Sequence, residues 1–262
     1  MARSAPDLTG RPTEIAQRLR IRYAKRGRLR FTSHRDIARA FERALRRAAV
    51  PMAYSSGFTA HPRVSWVGAA PTGVASEAEY LEIALAEVRD PEQVRKSLDT
   101  ALPPGLDVLD CVPAEGASLA ERIDAGAWQI RLDGVGQAEA ERVVAAFLAA
   151  PTAPIEKLTK GGKRTVDVRA AVASMAVEDL ENTDKNVSSG GADHVCAILT
   201  LVVQQTTPAV RPDDVMAAFR MVAGLEPPVP PEVTRLGQGR LAEDGSIFDP
   251  LAPVQESARP VG

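Results

Sequence analysis

The sequence has no long apolar run and very little cysteine. No stretch of 18 consecutive apolar residues occurs among its 262 residues, so we expect no membrane-spanning helix. The first 20 residues lack the apolar centre of a secretory signal peptide, which predicts a cytoplasmic protein. Cys111 and Cys196 are the only cysteines, too few for a disulfide framework, a structural zinc site or an iron–sulfur cluster. We therefore expect two buried thiols, no metal site and no cofactor.

Phosphate-binding signatures are missing as well. The sequence contains neither a Walker-type loop nor a dinucleotide-binding fingerprint, which argues against the commonest nucleotide-dependent enzymes. What it does contain is 45% hydrophobic and 25% charged residues, the composition of a folded chain. Its length suits two small domains or one large domain.

Positive charge is concentrated at one end of the chain. Residues 1–63 hold fifteen of the 32 Lys and Arg residues but only four of the 34 Asp and Glu residues. Such segregation is typical of a surface that binds a polyanion, because neutralised phosphates release their counterions. The alternative is a basic face that pairs with the acidic part of the same molecule or of a partner protein.

The first half of the chain shows strand and helix signals in the order β-α-β-β-α-β. Leu19, Ile21 and Tyr23 alternate with charged residues, as in a strand with one buried face. Ser33 is a predicted N-cap, with Asp36 completing a capping box, for a helix of about four turns. Further strands are predicted at 62–70, 79–87 and 106–112, and a second helix at 91–101.

The second half repeats the order and adds a basic turn at Gly161 and Gly162. The predicted elements are a strand at 128–135, helices at 138–150 and 211–224, a polar exposed loop at 181–193, and strands at 194–205 and 232–241. We therefore predict an α+β fold of two tandem ferredoxin-like (βαββαβ) domains with antiparallel sheets. The expected boundaries are 15–113 for the basic N-terminal domain, 127–241 for the C-terminal domain and 242–262 for a flexible tail.

The arginines of the first predicted helix lie opposite its buried stripe of Ile37, Phe41 and Leu45. They begin two residues earlier with the same spacing, which is a rotation of about 200° around the helix. Only Glu42 lies within the row as a possible neighbour one turn away, so we expect most of these guanidinium groups to face water or a partner. The row consists of Arg35, Arg39, Arg43 and Arg46.

The start of this helix is a candidate seat for one anion. Free backbone N–H groups, His34 and Arg35 at a helix N-terminus together suit a phosphate or a carboxylate. The alternative is that His34 packs under the following loop and Arg35 is solvated.

Two further clusters extend the candidate surface. In YSSGFTAHPRVSW, Tyr54 or Phe58 is expected to stack on a base while His61 and Arg63 donate hydrogen bonds; alternatively, the two aromatic rings are core residues. In KLTKGGKRTVDVR, basic residues surround a glycine pair, a weak phosphate-binding signal. The full set predicted to bind nucleic acid is His34, Arg35, Arg39, Arg43, Arg46, Arg47, Tyr54, Phe58, His61, Arg63, Lys160, Lys163 and Arg164.

The run from SHRDIARAF through PTGVASEAEYLEI resembles the radical-SAM-linked protein family, a bacterial domain of unknown function. The resemblance covers about residues 18–240 and is most specific over 31–85, although Thr59 and Ala60 stand where the family pattern has Asn-Pro. The positions that match the family pattern are Ser33, His34, Asp36, Arg39, Glu42, Arg43, Arg46, Arg47, Pro51, Tyr54, Ser55, Gly57, Phe58, His61, Pro62, Ser65, Gly73, Ser76 and Glu79.

This resemblance implies a partner enzyme. Family members occur as separate proteins or fused behind a cobalamin-binding radical SAM enzyme, and in some bacteria their genes lie among RNA-processing and ribosomal genes. The chain itself lacks the CxxxCxxC cysteines that hold the cluster of such an enzyme. The resemblance therefore implies an RNA-binding accessory protein that presents a structured RNA, tRNA or rRNA, to a radical SAM modification enzyme.

Two other functions stay open from the sequence. Paired ferredoxin-like folds also resemble CRISPR-repeat endoribonucleases, and His34, His61 and Tyr54 would then form a metal-independent acid/base set. Alternatively, the basic face docks on an acidic patch of the radical SAM enzyme and binds no nucleic acid. The sequence does not choose a substrate or an oligomeric state.

Overall fold

The structure, a computed structural model, describes residues 13–57, 59–159, 161–179 and 195–253. It is a mixed α+β protein with mostly antiparallel strand pairing, which confirms the predicted fold class at that level. The chain forms two units. Unit 1 contains the described residues up to Arg122 and those from Pro250 onward, and unit 2 is Ile123–Asp249. The predicted polar loop at 181–193 lies outside the described residues.

Unit 1 follows the predicted order of elements closely. Its strands lie in the order β4-β1-β3-β2, and every neighbouring pair is antiparallel. Short 3-10 helices, at Gly27–Phe31 and Leu119–Arg122, follow β1 and β4. The elements are β1 (Gln17–Lys25), α1 (His34–Arg47), β2 (Val64–Val67), β3 (Ala75–Leu85), α2 (Pro91–Ala101) and β4 (Leu106–Pro113).

The core of unit 1 lies between the sheet and its two longer helices. Leu19, Ile21 and Tyr23 of β1 are at most 1% exposed, as the alternation predicts. The ring of Tyr23 meets that of Phe41 on α1 at 4.7 Å, and Phe41 meets Trp66 on β2 edge to face at 5.4 Å. This aromatic contact fixes α1 on the sheet and leaves its opposite side to solvent.

The strands of unit 2 include a run in the order β10-β5-β9-β8, in which all neighbouring pairs are antiparallel. Along the chain, α3 is followed by a hairpin of β6 and β7, then by a short helix, α4, and then by β8. Phe147 on α3 and Phe219 on α5 pack edge to face at 5.3 Å. The elements are β5 (Ala125–Asp133), α3 (Gln137–Ala149), β6 (Pro154–Thr159), β7 (Gly162–Asp167), α4 (Val168–Ala171), β8 (Val172–Val177), β9 (Cys196–Gln204), α5 (Pro212–Ala223), β10 (Glu232–Leu241) and β11 (Ile247–Phe248).

The prediction of a free tail from residue 242 is wrong for residues 242–253, which are held by hydrogen bonds. β11 pairs with β10, and the closeness of the two strands depends on Gly239, because a Cβ there would lie 1.8 Å from the carbonyl oxygen of Phe248. Further on, Arg122 donates hydrogen bonds to the carbonyl oxygens of Pro250 at 2.8 Å and Ala252 at 3.0 Å. On the tail these contacts are made by backbone atoms, so hydrophobic periodicity does not predict them.

Candidate nucleic-acid interface

Helix α1 presents its arginines to solvent because its apolar residues are committed to the sheet. Ile37, Phe41 and Leu45 are at most 3% exposed, whereas the four arginines of the predicted row are exposed. From first to last, the row extends about 16 Å along the helix. We call this set, Arg35, Arg39, Arg43 and Arg46, the α1 arginine row.

The α1 arginine row is nearly free of internal ion pairs. Arg39 lies 3.4 Å from Asp36, three residues earlier on α1, and this ion pair was not predicted from the sequence. Arg46 donates through Nε to the backbone oxygen of Glu42 at 3.2 Å, which leaves its terminal N–H groups available. Within the described part of the chain, Arg35, Arg43 and Arg46 have no carboxylate within 4 Å. Most of the positive charge of the row is therefore unpaired within the described residues.

The arginines of β1 and the adjacent Arg26 behave differently, since all of them pair with carboxylates of the same unit. Arg18 and Arg20 both contact Glu82 on β3, at 3.3 and 3.4 Å. Arg22 lies 3.6 Å from Asp110 on β4. Arg26 binds Glu77 and, at 2.9 Å, Asp107, and the hydrogen bond to Glu77 contributes most to raising the pKa of Arg26. Internal ion pairing thus accounts for these four arginines, whereas in the described residues Arg39 alone of the α1 arginine row has a carboxylate partner.

The N-terminus of α1 contains a carboxylate beside the two predicted anion ligands. Ser33 is the N-cap, as predicted: its Oγ accepts from the N–H of Asp36 at 3.3 Å and donates to the Asp36 carboxylate at 2.7 Å. The ring of His34 meets Trp66 edge to face at 5.1 Å, and Arg35 is exposed. Because Asp36 brings negative charge to this first turn, the stronger cationic part of α1 lies further along, at Arg43 and Arg46.

Two other predicted arginines support the fold around the row. Arg47 donates to the carbonyl oxygen of Ala101 at 3.0 Å, at the end of α2. Arg63 is half-buried and donates to the carbonyl oxygen of Tyr54 at 3.2 Å. Both side chains therefore already stabilise backbone carbonyls.

A loop beside α1 is held by short-range hydrogen bonds at its base. Tyr54 and Pro62 form an isolated antiparallel bridge. Ser55 and His61 exchange two bonds: the N–H of Ser55 donates to the oxygen of His61 at 2.9 Å, and the N–H of His61 donates to Ser55 Oγ at 3.1 Å. These bonds fix the positions of Tyr54 and His61 next to α1. Phe58, which was predicted to stack on a base, lies outside the described residues.

Between α1 and this loop is a cavity of about 200 Å³, which we call the α1 cavity. Its lining combines apolar side chains with four polar ones of different chemistry. The residues are Glu42, Leu45, Arg46, Met52, Tyr54, Ala60, His61 and Pro62. Three predicted site residues, Arg46, Tyr54 and His61, therefore meet at one place.

The polar side chains of the α1 cavity are available to a ligand. Among the residues that the structure describes, the Glu42 carboxylate, the Tyr54 hydroxyl and the His61 ring make no hydrogen bond or ion pair. Leu45 and Met52, at 2% and 7% exposed, contribute apolar surface to the lining. A pocket with a partly apolar lining and a few convergent polar groups is the usual form of a small binding site.

The proposed acid/base set of His34, His61 and Tyr54 is divided between two places. Tyr54 and His61 line the α1 cavity, whereas His34 begins α1 and contacts Trp66. His34 and Glu42 are eight residues apart on α1, which is about 12 Å along the helix axis. The cavity therefore assembles two of the three residues that the ribonuclease hypothesis needs.

The basic residues predicted in the second half lie on the β6–β7 hairpin of unit 2. Lys163 is exposed and forms an ion pair with Glu156 at 3.1 Å, and Arg164 is exposed on the same strand. Lys157, which precedes the turn, binds Asp214 and the carbonyl oxygen of Ala209. Lys160 lies outside the described residues. The described lysines of this hairpin thus each have a partner within unit 2.

A buried polar cluster in unit 1 was not predicted. Lys25 continues the inward alternation of β1, is 1% exposed, and donates to the carbonyl oxygens of Ala70 at 3.3 Å and Pro71 at 3.1 Å. Glu79 on β3 is 2% exposed and accepts from the N–H of Ala70 at 3.1 Å. The available signal was a lysine at a position where the strand alternation requires an apolar residue. The cluster supports the loop that follows β2.

The two cysteines are partly buried, and burial raises the pKa of both thiols, that of Cys111 to about 12. Because the thiolate is the reactive form, Cys111 at pH 8 should hold on the order of a thousandfold less thiolate than an exposed cysteine. We expect iodoacetamide to label Cys111 far more slowly in the native protein than in urea, as followed by peptide mass spectrometry. Equal rates in the two conditions would contradict this burial.

Neither a metal site nor a membrane span is found in the described chain. No group of three His, Cys, Asp or Glu side chains there is arranged to bind a metal ion. None of the helices in the same residues combines the length and the apolar character needed to cross a bilayer.

Together these features define an α+β protein whose first unit carries an exposed cationic helix beside a small polar cavity. The chain belongs to the DUF2344 family, described as an uncharacterized protein conserved in bacteria, and the match covers residues 18–212. This match includes α1, its arginine row and the whole lining of the α1 cavity. A comparison with curated proteins finds no match.

Proposed function

We propose that this protein binds RNA through the α1 arginine row and presents it to a partner modification enzyme. The observation that carries the proposal is the contrast between two sets of arginines in one unit. Those of β1 and the adjacent Arg26 pair with Glu77, Glu82, Asp107 and Asp110, whereas three of the row have no carboxylate partner in the described residues. Like charges spaced one turn apart cost helix stability, and an external polyanion relieves that cost.

The identity of the RNA and of the enzyme rests on the resemblance noted in the sequence. It supports a structured tRNA or rRNA as the ligand and a cobalamin-binding radical SAM protein as the partner. The antiparallel strand orders β4-β1-β3-β2 and β10-β5-β9-β8 also support our classification of both units as ferredoxin-like.

The salt dependence of tRNA binding tests this function. If the four arginines of the row each neutralise one phosphate, log K should fall against log salt with a slope of about −3, so affinity should drop roughly fiftyfold between 50 and 200 mM. The measurement is filter binding of labelled tRNA in EDTA. A slope near zero would overturn the proposal, and cleavage of the tRNA would favour the ribonuclease function instead.

A further inference from the structure

We propose that the α1 cavity binds one unstacked guanine base of the bound RNA. This inference rests on the proposed function and adds to it the chemical feature that the protein reads. The α1 arginine row contacts phosphates, which position an RNA but do not identify its sequence. Sequence must then be read by groups that contact base edges, and the α1 cavity is the adjacent site where such groups meet.

The size of the α1 cavity suits a single base. Pockets for drug-sized molecules occupy about 300–1,000 Å³, whereas the α1 cavity measures about 200 Å³. A base that enters would leave its sugar and phosphate outside. Those groups would then lie beside Arg43 and Arg46, on the exposed side of the same helix.

The lining of the α1 cavity provides both an aromatic ring and apolar surface. Tyr54 is half-buried, and hydrogen bonds at the base of its loop hold it in place. Leu45 and Met52 add apolar surface with little exposure of their own. Single-stranded RNA is commonly recognised by bases that stack on aromatic side chains in this way. Stacking accepts any base, so selectivity has to come from the polar groups.

Glu42 is the group that selects guanine. A carboxylate offers two oxygen acceptors side by side and no donor. Guanine carries two adjacent donors, N1–H and the 2-amino group, on its Watson–Crick edge, while adenine and cytosine each have one amino donor there and uracil has one N–H donor between two oxygen acceptors. Two charge-assisted hydrogen bonds in parallel are therefore available to guanine alone.

The position of Glu42 on α1 connects base reading to phosphate binding. Arg46 lies one helical turn after Glu42 and donates through Nε to the Glu42 backbone oxygen at 3.2 Å. Both residues line the cavity, and the same helix carries both. The Arg46 terminal N–H groups are then available to the phosphate of the same nucleotide. In this arrangement the cavity would bind the base while Arg46 binds the phosphate of the same nucleotide.

Titration with mononucleotides tests the proposal without any RNA. We expect GMP to shift the amide signals of α1 and of residues 52–62 in ¹H–¹⁵N spectra, and to bind about fivefold to a hundredfold more tightly than AMP, CMP or UMP. N1-methyl-GMP, which lacks one of the two donors, should lose most of this advantage on the unaltered protein. E42Q should abolish the preference for GMP.

The matched control is E139Q, which makes the same chemical change at an exposed position of α3, in unit 2, and should keep the GMP preference. Equal binding of GMP and AMP, an unchanged preference in E42Q, or the absence of any mononucleotide binding would each overturn the guanine site.

Failure of this inference is distinguishable from failure of the proposed function. If tRNA binds with the expected salt slope while GMP shows no preference, the RNA-binding function stands and the guanine site is wrong. If GMP is preferred but tRNA binding does not depend on salt, the cavity is a nucleotide site and the function of the arginine row is wrong.

Discussion

The double substitution R35E/R43E should lower the affinity for tRNA by about tenfold to a hundredfold near 100 mM salt. Both side chains are exposed, and neither has a carboxylate partner in the described residues, so their replacement breaks no internal ion pair. Each lost phosphate contact should also flatten the plot of log K against log salt by about 0.7 to 0.9. Filter binding at several salt concentrations measures the affinity and the slope.

The matched control for this experiment is R142E/R240E, which makes the same change of charge at exposed positions of α3 and β10. It should leave the slope unchanged, because the proposed contacts lie on α1. If both double variants weaken binding equally, net charge rather than the arginine row determines affinity. If R35E/R43E keeps tRNA affinity but loses pull-down of the proposed partner enzyme, the row is a protein-docking surface.

Phe41→Ala should reduce the free energy of unfolding of unit 1 by about 3–5 kcal/mol. Phe41 is 1% exposed and joins α1 to the sheet through ring contacts with Tyr23 and Trp66. Removal of the Phe41 ring would leave a cavity, abolish both ring contacts and weaken the packing of α1 against the sheet. Since total stabilities are about 5–15 kcal/mol, this variant should approach unfolding at 37 °C.

Urea denaturation followed by tryptophan fluorescence measures this loss. The chain has two tryptophans, Trp66 in unit 1 and Trp128 in unit 2, so a W128F background reports on unit 1 alone. Phe31→Ala is the control: Phe31 is 60% exposed, and its removal should cost less than about 1 kcal/mol. A comparable cost for the two substitutions would contradict the described core.

Sequence periodicity predicted α1 well because every determinant of that helix is local. The N-cap at Ser33 and the stripe of Ile37, Phe41 and Leu45 all lie within thirteen residues, and the structure confirms each of them. Local pattern also determined which side of the helix carries the arginines.

Pairing of the β1 arginines and of Arg26 could not be predicted in the same way. Their carboxylate partners on β3 and β4 lie between 51 and 88 residues further along the chain. Only strand register brings them together, and register depends on the whole sheet. Charge counting over residues 1–63 therefore overestimated the free positive charge of the first unit.

The sequence did not predict the α1 cavity, for a related reason. Its pattern indicates Tyr54, His61 and Arg46 only as separate candidates, by residue type. Their meeting with Glu42 depends on how the loop after α1 folds back, through the bridge between Tyr54 and Pro62. From the sequence, Glu42 is considered only as a partner for the arginines, and its place in the cavity lining depends on the same geometry.

In the sequence, unit 2 is inserted between Arg122 and Pro250, two residues that belong to unit 1. Its first residues and its last long strand are hydrogen-bonded, since Asp124 donates to the oxygen of Gly239 at 3.0 Å and accepts from the N–H of Leu241 at 2.7 Å. Its ends are therefore neighbours, the geometry that lets one domain be inserted into another. A short linker should be able to replace the whole of unit 2 while Pro250 still reaches Arg122, whereas a simple truncation after Arg122 would remove a segment that unit 1 needs.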